Sequence, residues 1–194
     1  YVENGSLEVA TSPDYQRTLE HRVDQADVWG VEAELVDGAA AAAQFPSLDG
    51  DRVRSAIHVP RDGWLSSVEF LEGLRSQAEA HGATFQGGVE VTALLTDDRA
   101  VTGVVTNHGE IAADRVVLAT NVWTPTILGS VGIDLPLTPV VHQYAVTNPI
   151  ETSGANDADG PWLRYPEAGV YARPHGDALG IGNYNHEPIV VDPE

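Results

Sequence analysis

The sequence predicts an α+β fold, an antiparallel sheet with flanking helices joined to a smaller α/β portion. Three observations carry this. The last third alternates apolar and polar residues in short runs, Pro139–Asn148, Gly169–Pro174 and Leu179–Tyr184, with turn residues between them. An amphipathic run over 65–81 ends at His81-Gly82 and leads at once into Ala83-Thr84-Phe85, the order of an α/β unit. The run Val116-Val117-Leu118-Ala119 is continuously apolar, as in a parallel strand buried on both faces.

The remaining elements follow in chain order. Residues 5–11 alternate like a strand, and Pro13-Asp14 opens a helix over 13–27 with Leu19, Val23 and Ala26 at helical spacing. Val31 to Val36 reads as a short strand. Asp37 then stands as a helix N-cap before Gly38 and five alanines, and Pro46 stops that helix. Ser55–Val59 reads as a strand ending at Pro60. In the helix over 65–81, capped by Ser66 or Ser67, Val68, Leu71, Leu74 and Ala78 form one apolar stripe. Strands at 89–95, 100–106 and 110–112 are separated by hairpin-turn residues. Trp123 to Gly129 suits a short helix, and the polar stretch 151–160 an exposed loop.

Composition narrows the partners. Among 194 residues, 29 acids face 10 bases, a formal net charge of −19. Every base is arginine. Such a surface repels nucleic acid and anionic membrane, so neither is expected as a partner. The acids are scattered, as in adaptation to high salt or in an ordinary acidic protein. Cysteine is absent, which removes disulfides and thiolate chemistry. No apolar run approaches the ~20 residues that cross a bilayer. A chain that opens at Tyr1 is read as an internal fragment of a longer, cytoplasmic enzyme.

Several stretches, in order, resemble one family. They are Ala80-His81-Gly82-Ala83, Val89–Leu94, Val101–Thr106, Gly109–Asp114, Arg115–Trp123, Leu135–Tyr144, and Val170–Asp177 leading into Leu179–Pro188. Together they resemble the D-amino-acid-oxidase-like flavoenzymes, above all the dimethylglycine oxidase and sarcosine dehydrogenase branch. His142-Gln143-Tyr144 and the Gly-Ile-Gly-x-Tyr-x-His-x-Pro run of 180–188 are the most specific. The resemblance implies an antiparallel-sheet substrate lobe from 1–64 and 130–194. It implies an incomplete α/β FAD-binding lobe from 65–129. The family's strand–Gly-x-Gly-x-x-Gly–helix unit has no counterpart here, and Asn121 stands where the family usually has glycine. FAD is therefore expected in the parent and not in the isolated chain, which is expected to be inactive without its missing N- and C-terminal segments.

The implied chemistry is oxidation of a small amine or N-methyl amino acid, with dimethylglycine or sarcosine as the leading class. Such a site needs a group for the amine proton, a cation for the carboxylate, and aromatic walls. By resemblance, His142 and Tyr171 fall at substrate-site positions. His142 is assigned to amine positioning and proton handling, since an unperturbed pKa of ~6.5 suits that task. Tyr171 hydrogen-bonds and walls the substrate. Alternation puts Tyr144 on one face with His142, and Arg173 with Tyr171. Arg173 is assigned to the carboxylate. Tyr144 is read either as core packing or as substrate wall. Val91 resembles the position whose backbone meets the adenine, and Thr120 and Trp123 are taken with it as cofactor-binding. His175, Asp177 and His186 fit no metal-ligand spacing, so they are read as turn residues and no metal is expected. Deamination of another amine, and a non-catalytic binding module, are the competing readings.

Overall fold

The computed structural model describes residues 1–150 and 160–192, so the stretch expected as a loop lies outside them except for Gly160. In chain order the elements are β1 (Val2–Glu3), β2 (Ser6–Ala10), α1 (Pro13–Val28), β3 (Glu34–Val36), α2 (Gly38–Gln44), β4 (Ser55–Val59), β5 (Gly63–Trp64) and α3 (Ser67–Ala80). There follow β6 (Val91–Thr96), β7 (Val101–Thr106), β8 (Gly109–Ala112), α4 (Thr124–Gly129), β9 (Val140–Val141), β10 (Tyr144–Val146), β11 (Trp162–Tyr165), β12 (Val170–His175), β13 (Ala178–Asn183) and β14 (Ile189–Val190). The chain divides into two compact units. One comprises Tyr1–Glu72 and His142–Glu187, the other Gly73–Val141 and the residues from Pro188 onward.

The first unit is organised by a seven-stranded sheet in the order β10-β13-β12-β11-β2-β4-β3. Strands from both ends of the sequence therefore share one sheet. It is antiparallel, as expected, except where β11 runs parallel to β2. Strand β2 is central and buried along its whole length. Leu7 and Val9 face a core with Ala56, Leu163, Ala172 and Leu179, closed by Ala41, Phe45 and Val53. Alternation sends Glu8 and Ala10 to the other face, where Ala10 and Ile57 pack against Leu19 of α1. Each fully buried Leu or Val side chain stabilises by roughly 1.5–3 kcal/mol.

Local signals set the two helices of this unit. Ser12 caps α1 by accepting from the Tyr15 N–H at 3.1 Å. Asp37 caps α2 by accepting from the Ala40 N–H at 2.8 Å. Under α1, Glu8 is 8% exposed. Tyr15 donates to its Oε1 at 2.6 Å, Arg22 pairs with it, and Arg164 lies 3.6 Å from its Oε2. Burial first, then the hydrogen bond to Glu8, pushes the Tyr15 phenol up to about 12.

The second unit holds the meander β6-β7-β8 with α4 beside β6, and the short pair β9–β14. Here three expectations need correction. Residues 83–85 and 115–120 form no strand, and Val117 is 89% exposed. A parallel strand exists only where neighbours take its main-chain groups, and none of residues 115–119 bonds to another described backbone group. The run 139–148 is not one strand: it breaks at His142-Gln143, with β9 paired to β14 and β10 to β13. The stripe of α3 likewise lacks cover, since Val68, Leu71 and Leu74 are all exposed. Among the described residues, no helix is long and apolar enough to cross a membrane.

Candidate active site

Two glycines form the floor of the site. On one sheet face, Gly182 of β13 lies opposite Tyr144 of β10 and also opposite Tyr171 of β12. With no side chain between them, the two phenol rings stack across the central strand, centroids 6.1 Å apart at 21°. A Cβ at Gly182 would overlap Tyr171, and one at Gly180 would overlap the Tyr144 hydroxyl. These glycines serve close ring approach rather than a turn.

From this floor a chain of ring contacts runs in both directions. Tyr184 lies 5.2 Å from Tyr171, centroid to centroid, and His142 meets Tyr184 edge-on at 4.3 Å. His142 Nδ1 is 3.2 Å from His186 Nε2, whose ring carries Nδ1 2.8 Å from the Glu187 carbonyl. The Tyr171 phenol is held above its ordinary value by burial first, then by its charge and hydrogen-bond coupling to Tyr184. It remains a neutral donor at neutral pH. At the other end, Arg173 Nε donates to Tyr144 Oη at 3.2 Å and to His175 Nε2 at 3.0 Å. Tyr144 Oη and His175 Nε2 are themselves 2.8 Å apart. A ring nitrogen that accepts from a guanidinium carries no proton, which makes His175 the Nδ1–H tautomer.

Three of the four substrate-site residues read from the sequence, Tyr144, Tyr171 and Arg173, occupy one face of the sheet, and His142 joins them from outside it. His142 and Tyr171 are joined through Tyr184 rather than by direct contact. His142 reaches the group from beyond the end of β10, since the strand on which it was expected is broken there. Tyr144 is 43% exposed and stacks on Tyr171, so it is not packed in the core. His175 and His186, read as turn residues, are members of the ring cluster. For His175 the signal that could have found it was register, since it follows Arg173 by two on a strand; His186 lies past the end of β13, where alternation gives no such signal.

Arg173 is the charged member of the cluster. Among the described residues no carboxylate pairs with it, although the chain carries 29 acids. A pocket of about 470 Å³ opens beside it, lined by Tyr171, Arg173, His175, Trp162, Trp64 and Asn4 among others. His142 and Tyr144 do not line that pocket.

The second unit holds its own cavity. About 600 Å³ is lined by Val89–Thr92, Ala119–Asn121, Trp123, Thr126 and Ile127. All three residues assigned to the cofactor, Val91, Thr120 and Trp123, line it. Asn121 adopts the left-handed region at φ 48°. Asparagine is the residue other than glycine that tolerates this conformation best, which accounts for its standing at a glycine position. Its lining of Val89, Val91, Ala119, Trp123 and Ile127 with a few polar neighbours could hold a planar heterocycle such as the adenine of FAD.

Comparison with known proteins agrees. The family model described as DAO, FAD dependent oxidoreductase, matches residues 1–194. Human mitochondrial sarcosine dehydrogenase is 31% identical over 97% of this chain and 21% of its own length. Rat mitochondrial dimethylglycine dehydrogenase is 27% identical over 96% of this chain and 22% of its own. Among solved structures, L-proline dehydrogenase from P. horikoshii superposes with TM-score 0.80 at 26% identity, covering 96% of this chain and 50% of that one. The chain spans about a fifth of the length of these curated relatives. With its full length matched, and a common fold under that match, this chain belongs to the DAO family of FAD-dependent oxidoreductases.

Proposed function

We propose that the chain carries the substrate face of an enzyme that oxidatively demethylates a small N-methyl amino acid of the dimethylglycine or sarcosine class. One observation carries the reading. A cation with no carboxylate partner among the described residues and a stacked tyrosine pair share one sheet face, and the His142–His186 pair joins them through Tyr184. The likeness to sarcosine and dimethylglycine dehydrogenases supports the same class.

Each residue then has a task. Arg173 is oriented through Nε, and its terminal nitrogens hold the substrate carboxylate as a bidentate pair. Tyr144, Tyr171 and Tyr184 wall the amine and exclude water from it. His142, with Nδ1 directed to His186, takes the amine proton at Nε2 so that the nitrogen lone pair becomes available. FAD, when bound, accepts the hydride equivalent from the carbon beside that nitrogen. Val91, Thr120 and Trp123 are the residues that would hold its adenine end. The uncovered faces at Val68, Leu71 and Val117 are completed by further segments of the same enzyme.

The test is stopped-flow reduction of the flavin by sarcosine and dimethylglycine in the complete holoenzyme. His142→Ala is expected to slow reduction about 100-fold, in the usual range for loss of a general base, while FAD content stays unchanged. Unaltered reduction kinetics would remove His142 from the chemistry.

A further inference from the structure

We propose that His186 is a positioning residue for the amine oxidation: with the main-chain carbonyl of Glu187 it fixes the proton of His142 on Nδ1, so that Nε2 is the bare nitrogen left for the substrate. This rests on the amine-oxidation reading and names the group that sets the state of its base. A carbonyl oxygen can only accept. His186 Nδ1 lies 2.8 Å from that of Glu187, so Nδ1 carries the His186 proton. In a neutral imidazole the second nitrogen is then bare, which makes His186 Nε2 an acceptor. It lies 3.2 Å from His142 Nδ1, so His142 donates there. The one ring proton of neutral His142 is thereby committed to Nδ1, and Nε2 keeps its lone pair. One carbonyl decides two tautomers through two hydrogen bonds.

The segment that carries His186 is tied down on both sides of the ring. Tyr184 N–H donates to the Gly169 carbonyl at 2.8 Å, and Asn185 N–H to Asn183 Oδ1 at 2.6 Å. Glu187 precedes a proline, which restricts the backbone that bears the carbonyl. The His142 ring meets His186 edge-on, centroids 5.4 Å apart at 74°, and Tyr184 at 4.3 Å. Packing and hydrogen bonding therefore hold the same orientation. When Nε2 takes the amine proton, His142 becomes an imidazolium. Its Nδ1–H bond to His186 is then charge-assisted, roughly twice as strong as the neutral one. His186 thus favours the protonated product of the step as well as the correct starting tautomer.

The test has two readouts. In the chain itself, with isotope-labelled histidine rings, long-range proton–nitrogen NMR at about pH 8.5, where an ordinary imidazole is neutral, reports which nitrogen holds each proton. Expected is Nδ1–H at both His142 and His186. His186→Phe keeps a ring against His142 but removes the acceptor, and is expected to leave the His142 proton divided between its two nitrogens. His186→Gln, whose Oε1 accepts, is expected to restore Nδ1–H. In the complete holoenzyme at saturating sarcosine or dimethylglycine, His186→Phe is expected to slow flavin reduction about 10-fold through loss of a charge-assisted bond, with His186→Gln within about 2-fold of the unaltered enzyme and FAD content unchanged in both. His142 protonated on Nε2, or a tautomer indifferent to His186→Phe, would overturn the proposal. Reduction slowed by His142→Ala but not by His186→Phe would overturn the positioning role and leave the amine-oxidation reading standing. A tautomer set by His186, with reduction unaltered in both variants, would keep the hydrogen-bond chain and reject His142 as the base.

Discussion

The two ends of the seven-stranded sheet use the same face in opposite ways. Row by row the register reads Tyr144, Gly182, Tyr171, Arg164, Glu8, Ile57 and Leu35. At the β2–β4 end α1 covers the face, and Glu8 is sealed beneath it with Tyr15, Arg22 and Arg164 as partners. At the β12–β13–β10 end, glycines replace side chains and phenols lie flat over the backbone. Among the described residues the arginine there has no carboxylate partner. The same residue types make a closed joint where donors and acceptors balance and, under the proposed function, a binding surface where a ligand completes the balance.

The comparison can be broken from either side. Gly182→Val puts a branched side chain where Tyr171 lies, and is expected to lower amine-driven flavin reduction in the holoenzyme about 100-fold. The melting temperature should change little, because the half-buried Tyr171 ring can swing outward. Unchanged reduction would mean the floor does not set ring position. At the closed end, Glu8→Gln leaves Arg22 and Arg164 without their carboxylate. It is expected to cost about 2–3 kcal/mol in urea denaturation, below the full cost of a broken buried pair because both arginines are half exposed.

The pH dependence sharpens the same contrast. With Tyr15 at about 12 in the folded state and near 10 when unfolded, the native state keeps a proton that the unfolded chain loses. The stabilisation is complete below pH 10 and lost as pH rises to 12, about 1–2 kcal/mol after solvent screening. Alkaline denaturation of Tyr15→Phe should lack that component. The smallest effect is expected on the outer surface of α1. There Arg17 and Asp14 pair at 2.6 Å with both side chains exposed, and Arg17→Ala should shift stability by less than about 0.5 kcal/mol.

Much of this arrangement was legible in the sequence. The caps at Ser12 and Asp37, the hairpins of the meander and the last two long strands follow from turn chemistry and alternation. The face shared by Tyr171 and Arg173 follows from period two alone. His175 was missed because turn composition outweighed strand parity, and His186 because it lies past the last residue of β13. Arg115–Thr120 was read as a buried strand because its apolar run has that composition, yet composition cannot supply the neighbours that make a strand. His142 was placed on a continuous strand because Pro139–Asn148 alternates, whereas its two halves pair with different partners.

By itself, the sequence determined element types, caps, the alternation of faces and the family, because these depend on contacts within a few residues or on matched motifs. Tertiary structure alone decided that Gly182 lies between two tyrosines, that Glu8 takes two arginines, and that Arg173 donates to Tyr144 and His175. Each of those depends on which strand lies beside which, a choice fixed by long-range burial and hydrogen bonding between segments as far apart as Ser6 and Trp162.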